Sequence, residues 1–513
     1  MNANLLTDEI FGIERGDGSR ARLSLPGLLA ALGENAIESL TGLRRHQGDT
    51  FHIFLCYLAA AVLERDGTTE PVRTEGSWRA GLRRLSGRDD DRAWTLVVED
   101  PAQPAFLQPP SPVGLAGYRL QASTPDALDV LQTAKNHDLK SARAIGGSPE
   151  SWVFSLICMQ TASGFLGRDN YGICRMNGGH GSRPCVEALP DPHLAARWRR
   201  GTRKLLDLGA SLLPPNRPYR RDGHVLLWLV PWDGESSLAL DELHPFFIEV
   251  CRRVRLVNRA DRVAALGKPT RCSRIATAKK TQGDVGDPWT PLRRAGRSAL
   301  TVSARGFAPD LLRDLIVAHQ TYEPCPMQAL EPGGGAAWFH ASVLVRGQGT
   351  TDGYHEARVY IAPQAKRLLL AGGEGRERLA ALSEWALTRA RDVRAKALRP
   401  ALFALLEGGP EGWPDTNRRE MSAWIDVSLG RYDSHWNERY FPWLWDTLER
   451  SDASARRAWL EELRDRATTV LGQALRGSPQ RSARRYRAKV RARGLFRAAF
   501  RRHFGEEMMN VAA

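Results

Sequence analysis

His355 and Glu356 are neighbours that could share general acid–base work, and Asn136, His137 and Asp138 place an amide, an imidazole and a carboxylate in a row. Neither group comes with the rest of a site. One histidine beside one glutamate, without HExxH or a second ligand set, reads as structural. Nothing around Asn136 to Asp138 completes a metal-dependent nuclease centre. Asp89, Asp90 and Asp91 sit in a charged stretch that reads as a solvated turn. GxxxxGK[ST], GxGxxG and GxSxG are all absent. The seven cysteines are scattered and contain no CxxC, so zinc-ribbon and thioredoxin-like chemistry has no support. Reduced, mostly buried thiols in a cytoplasmic protein are the simplest reading. We therefore assign no catalytic residue, metal or cofactor from the sequence.

Binding chemistry is better represented. The net charge is +15, a surplus that points to a polyanionic partner. Much of it gathers near the C-terminal end. Between Gly477 and Phe504 lie Arg481, Arg484, Arg485, Arg487, Lys489, Arg491, Arg493, Arg497, Arg501 and Arg502, with no Asp or Glu. Such cations repel one another unless a polyanion lies alongside. Tyr486, Val490, Leu495, Phe496, Ala499 and Phe500 are interleaved and are expected to hold this helix on its neighbours. A solvated basic face, or a helix lying on anionic lipid, is the competing reading. A second signal is the glycine-rich region of Gly164, Gly167 and Asn177 to Pro184, with Arg168, Arg175 and Arg183 beside it. Glycine permits close backbone approach and positive φ, and arginine suits phosphate or base contact. The third is Arg346 to Glu356, a polar run with Gly347, Gly349 and Gly353 that reads as a hairpin tip.

These groups need elements to position them. Val225–Val230 and Ser342–Val345 read as strands, and Thr50–Leu63 and Trp152–Ser163 as helices. Pro101–Pro125 and Gly164–Pro192 read as long irregular segments, uncommon unless functional. Beyond Gly372 the composition turns to Ala, Leu, Arg and Glu, with Gly/Pro breaks that leave helical stretches at 374–406, 417–449, 453–476 and 480–504. The expected fold class is α+β: an irregular mixed domain over 1–372, then a C-terminal four-helix bundle over 373–513. The longest apolar run, Ile53–Leu63, is about half the ~20 residues a membrane span needs. No secretory leader is expected at the start of the chain.

The order of these segments resembles the large-subunit (CasA) family of the type I-E CRISPR Cascade. The resemblance rests on Leu5–Asp8, Leu23–Leu29, Pro104–Gln108, Leu131–His137, the glycine region at Gly164, the Arg346–Glu356 run and the helical C-terminal part. It implies a non-catalytic subunit with crRNA-bearing backbone subunits, target double-stranded DNA and a recruited helicase-nuclease as partners. In such a subunit a short protospacer-adjacent motif is read chiefly from the minor groove. The glycine loop would correspond to Gly164, Gly167 and Asn170, although Arg168–Tyr171 interrupts a compact glycine run. A lysine finger would be Lys279 or Lys280, in the Arg271–Asp287 loop. A duplex-opening wedge would be Gln348, with Thr350, Thr351 and Asp352 as alternatives. Lys135, Asn136 and Lys140 would touch the crRNA or motif-proximal DNA, and Arg484, Arg487 and Arg491 a displaced or target strand or a neighbouring subunit. A nucleic-acid enzyme with an unrecognised active site, and a lipid-associated scaffold, are the competing classes.

Overall fold

The computed structural model describes residues 2–88, 90–129, 147–176, 181–259, 262–347, 350–407, 414, 419–477 and 482–509. The chain is mixed α+β and divides into two compact units. The first comprises 1–307, 320–331 and 338–358; the second comprises 308–319, 332–337 and 359–513.

In the first unit, β1 (Phe11–Glu14) pairs antiparallel with β2 (Arg20–Leu23) and with β3 (Ser39–Leu40), and α1 (Leu25–Gly33) follows β2. The Ser24 hydroxyl accepts from the Gly27 amide and Pro26 stands in the first turn, two ordinary helix-start devices. The long helix α2 (Arg45–Arg65) is buried along almost its whole length, and α3 (Glu75–Ser86) ends at Gly87 in the left-handed region. Then come β4 (Arg119–Ala122), the short α4 (Pro125–Leu128) and α5 (Pro149–Ala162). After α5 follow β5 (Cys185–Leu189), α6 (Leu194–Gly209), β6 (His224–Leu226) and β7 (Leu243–Ile248). Strands β8 (Arg253–Arg259) and β9 (Arg262–Lys268) form an antiparallel ladder, and β4 adds to its β9 edge. Two short strands, β10 (Leu292–Arg293) and β11 (Tyr322–Glu323), also pair. Finally β12 (Ala337–Gly347) lies between β13 (Thr350–Ile361) and β5.

Three local expectations need correction. Val225–Val230 is not one strand: β6 stops at Leu226 and a 3₁₀ turn covers Leu227–Leu229. Leu226, Leu227 and Trp228 are all buried, which the alternating faces of a strand do not easily provide. Pro101–Pro125 contains β4, whose largely exposed residues carry little apolar pattern. Gly164–Pro192 contains β5, fully buried despite Glu187.

The second unit is helical. After α7 (Pro309–Arg313) and α8 (Pro363–Ala371), α9 (Gly373–Asp392) runs through a widened turn at Val393–Leu398 into α10 (Arg399–Glu407). Pro400 cannot donate to Lys396, and a widened turn absorbs that lost bond. Helices α11 (Arg419–Asp446), α12 (Asp452–Arg476) and α13 (Ser482–Met509) complete the bundle. Its aromatic core is tied to the α9 backbone: Tyr440 Oη donates to Ser383 O (3.2 Å), Trp459 Nε1 to Ala386 O (3.0 Å) and Tyr432 Oη to Ala390 O (3.2 Å). No described helix is long and apolar enough to cross a membrane.

Candidate nucleic-acid interface

Helix α5 ends at Ala162, and the chain then leaves as a narrow-necked loop. Gly164 is buried at the neck and its carbonyl accepts from Arg252 Nη2 at 3.0 Å. A Cβ on Gly172 would lie 2.4 Å from the Gly164 carbonyl carbon, so the two sides of the neck touch backbone to backbone and only glycine fits. The tip is closed by two hydrogen bonds, Leu166 N to Asn170 O and Asn170 N to Gly167 O, both 3.0 Å. Gly167 has φ +121° and Asp169 φ +67°, which gives the chain its reversal. Thr270 N donates to Asp169 O at 3.1 Å, fastening the tip to the exit of β9.

That fastening creates an open groove of about 960 Å³ between the loop tip, β4 and the β9 exit. Arg119, Arg168, Arg252, Arg253, Lys268 and Arg271 line it, against the single carboxylate of Asp169. The deeper cations are already engaged. Arg253 lies 5.3 Å from the Tyr118 ring, and Lys268 Nζ donates to Ala116 O at 2.9 Å. Arg271 meets Glu235 at 3.3 Å with both side chains well exposed, a pair worth little in water. The Arg168 side chain is 92% exposed and comes no nearer than 4.0 Å to Asp169. The result is a concave, positive surface beside a stiff turn.

Lys279 and Lys280 are exposed on a single 3₁₀ turn, Lys279–Thr281. Lys279 helps line a second cavity of about 340 Å³ with Phe165, Tyr171 and Gly172, behind the same loop. The loop thus has Lys268 on one side and Lys279 on the other. Sequence reasoning passed over Lys268 because it closes an otherwise ordinary strand. The Gly267-Lys268-Pro269 exit was the available signal.

The expectation that Arg175 and Arg183 serve a ligand is overturned. Both are buried: Arg175 Nη1 donates to Glu249 Oε1 (2.9 Å), and Arg183 Nε donates to Asp287 Oδ2 (2.7 Å). The Arg175 guanidinium also lies 3.8 Å from the Phe247 ring centre. Although burial favours the neutral form, Arg183 holds the Asp287 carboxyl below its ordinary range.

β12 and β13 are neighbours in one sheet and form the two arms of a hairpin. Gln348 lies outside the described residues, while Thr350 and Thr351 begin β13. The base of the hairpin is held on α2. Asp49 accepts from Ser342 Oγ, shares a 2.9 Å contact with His340 Nε2 and accepts from Tyr354 Oη at 3.4 Å, so one carboxylate grips both strands. Arg197 Nη2 reaches Asp49 Oδ1 at 2.5 Å, and Arg197 Nε donates to Glu187 Oε1 at 2.7 Å. Burial alone would raise the Asp49 pKa; Arg197, His340 and Ser342 outweigh it and hold the carboxyl well below the usual range. Burial, reinforced by Arg197, pushes nearby His52 down to about 3. The ligand atoms of Asp49, Cys185, Glu187 and His340 lie within 4.8 Å of one another, a spacing that suits a divalent ion. Arg197 donates to both carboxylates and already supplies the positive charge there. Glu356 is engaged too, accepting from Arg45 Nε (2.7 Å) and Arg358 Nε (2.6 Å).

On α13 the seam against the bundle is Ala488, Ala492, Phe496, Ala499, Phe500 and Phe504. Tyr486 and Val490 do not hold the helix down as expected; they are exposed, about half a turn away from that seam. Arg484 and Arg487 are exposed beside them, whereas Arg491 is half-buried with Glu407 at 3.7 Å. Lys135, Asn136 and Lys140 lie outside the described residues.

No family model and no curated protein matches the chain by sequence. Solved structures do. The Cse1 protein of Acidimicrobium ferrooxidans is 15% identical, with 99% of each chain covered and a TM-score of 0.64. CasA of Thermus thermophilus is 15% identical over 99% of this chain and 100% of its own, with a TM-score of 0.61. A chain of an assembly titled "CRISPR RNA-guided surveillance complex" is 12% identical over 96% and 99%, with a TM-score of 0.53. From end to end, the fold is that of the Cse1/CasA proteins.

Proposed function

We propose that this chain is a non-catalytic, DNA-recognising large subunit of an RNA-guided surveillance complex. The fold match, which spans 99% of this chain, supports that class. The observation that carries the DNA-facing part is the cation-lined groove beside the Gly164–Gly172 loop. Duplex DNA would lie along this groove, with Arg119, Lys268 and Arg271 near phosphates and the Leu166–Asn170 turn at the protospacer-adjacent motif. Lys279 or Lys280 would approach from the other side of the loop. Gln348, Thr350 and Thr351 at the hairpin would then part the base pairs next to the motif, after which guide pairing reads sequence. Unstacking a step costs a few kcal/mol, which new contacts must offset. A hairpin whose base is fixed to α2 loses little further freedom on insertion.

The remaining roles follow the same plan. Lys135, Asn136 and Lys140 would contact crRNA or motif-proximal DNA, and Arg484, Arg487 and Arg491 a single strand or a neighbouring subunit. Backbone subunits carrying crRNA are the permanent partners. A helicase-nuclease docks after opening and supplies the chemistry, in the cytoplasm. The test is duplex binding by a guide-loaded backbone complex, with and without this chain, across a randomised flanking motif. Motif-dependent binding that appears only with the chain supports the reading; unchanged binding rejects it. Nuclease or ATPase activity of the purified chain with Mg²⁺ would reject its non-catalytic part.

A further inference from the structure

The sheet under the hairpin gathers four metal-ligating side chains at one point. Cys185 and Glu187 are two apart on β5 and therefore share a face. On β12, His340 stands directly opposite Glu187, and Ser342 opposite Cys185, in the antiparallel register. Asp49 comes from α2 and completes the set. The four ligand atoms lie within 4.8 Å of one another, with His340 Nε2 2.9 Å from Asp49 Oδ2 and Cys185 Sγ 3.7 Å from Glu187 Oε1. Bonds of about 2.0–2.3 Å to a tetrahedral zinc put its donors about 3.5 Å apart, so the set has little closing to do.

Two buried polar atoms at this place lack a partner among the described residues. Glu187 is 0% exposed, yet its Oε2 makes no hydrogen bond, and His52 Nε2 is 4.0 Å away. Ser182 Oγ is also unpaired; with Asp49, Cys185 and Ser342 it lines a cavity of about 30 Å³, room for a water-sized occupant. Buried polar atoms left without a partner are rare and call for something to meet them. Charge points the same way. Arg197 contacts both carboxylates but balances only one, which leaves one buried negative charge when His340 is neutral. A dication with Cys185 bound as thiolate brings the sum to zero: two carboxylates and a thiolate against one guanidinium and the ion.

We propose that Asp49, Cys185, Glu187 and His340 bind one divalent cation of the zinc class, a structural ion that fastens β5 and β12 to α2. Thiolate, imidazole and carboxylate together favour zinc over magnesium or calcium, which take oxygen ligands. Four protein ligands leave no open position, the arrangement of a structural site and not a catalytic one. Cys185 gives up its thiol proton to solvent on binding. Arg197 remains on the two carboxylates and orients them from outside the first ring of ligands.

The test uses the full chain, stripped with a chelator and titrated with Zn²⁺ or Co²⁺. One ion per chain is expected, with a rise in the unfolding midpoint. Cobalt should give the visible bands of a tetrahedral centre together with a thiolate-to-cobalt charge-transfer band. Cys185→Ser should abolish that charge-transfer band and weaken zinc binding by more than about a hundredfold, beyond what loss of an outer-shell partner costs. Cys272→Ser, at the one thiol that is not fully buried among the seven, should change neither. A band that survives Cys185→Ser, or cobalt bound with no thiolate band, would place the ion elsewhere and overturn the proposal. A wild-type chain that takes up no ion would overturn it too, since Arg197 and a protonated His340 would then neutralise the carboxylates unaided. Should Cys185→Ser fail to fold, His340→Gln decides in its place: it is expected to lose the ion, and unchanged binding would reject the site.

Discussion

Two regions of the first unit use arginine in opposite ways. Under the hairpin, Arg197 sits between Asp49 and Glu187, while Arg175 and Arg183 pair with Glu249 and Asp287. At the groove, Arg119, Arg168 and Arg271 stand at the surface with little opposing charge. The first set is a framework: Arg175 and Arg183 are buried and Arg197 is largely so, and the loss of any of them strands a carboxylate away from water. The second set is a field: each cation stays hydrated until a polyanion replaces the water. Residue type is the same in both, and the partner carboxylate decides the role.

The largest expected effect breaks the framework. Asp49→Asn or Arg197→Met removes one member of a buried pair and should cost about 3–5 kcal/mol, measured by denaturant unfolding. Second comes acid sensitivity. His52 has its pKa lowered to about 3 from 6.5, so its neutral form belongs to the folded state and the unfolded chain takes up the proton first. Its share of stability is complete above pH 6.5 and is lost as pH falls from there towards 3. Asp49, also lowered, adds a loss that begins only near its unfolded value of about 4. His52→Gln should therefore flatten the pH slope between 6 and 4 by up to about 1.4 kcal/mol per unit.

The groove answers differently. Lys268→Gln should leave stability within about 0.5 kcal/mol of wild type. It should reduce the log–log salt slope of duplex binding by about 0.9 if Lys268 neutralises one phosphate. Smallest of all, Arg484→Gln with Arg487→Gln on α13 should leave unfolding unchanged and weaken single-strand binding only at low salt, since both side chains are exposed. A large stability loss from the groove change, or none from Asp49→Asn, would dissolve the contrast between the two regions.

The sequence revealed these regions unequally. The bundle was nearly complete in it: helix formers between Gly/Pro breaks mark 374–406 and 453–476, against observed spans of Gly373–Glu407, including its widened turn, and Asp452–Arg476. Local propensity suffices there because each helix satisfies its own backbone. The glycine loop was visible as composition but not as geometry. The backbone contact of Gly164 with Gly172 depends on packing against Arg252, far along the chain. Arg175 and Arg183 looked available because their carboxylates lie 74 and 104 residues away. Lys268 looked ordinary because the ladder of β8, β9 and β4 brings it to Arg168, and that ladder has no local signature.

The most direct measurement combines Lys268→Glu and Arg271→Glu and follows motif-dependent duplex binding by the guide-loaded complex, alongside the unfolding midpoint of the chain. The account expects motif-dependent binding to fall by more than about tenfold while the midpoint stays put. Unchanged motif-dependent binding by that stable variant would contradict it, and the groove would not be where DNA is read.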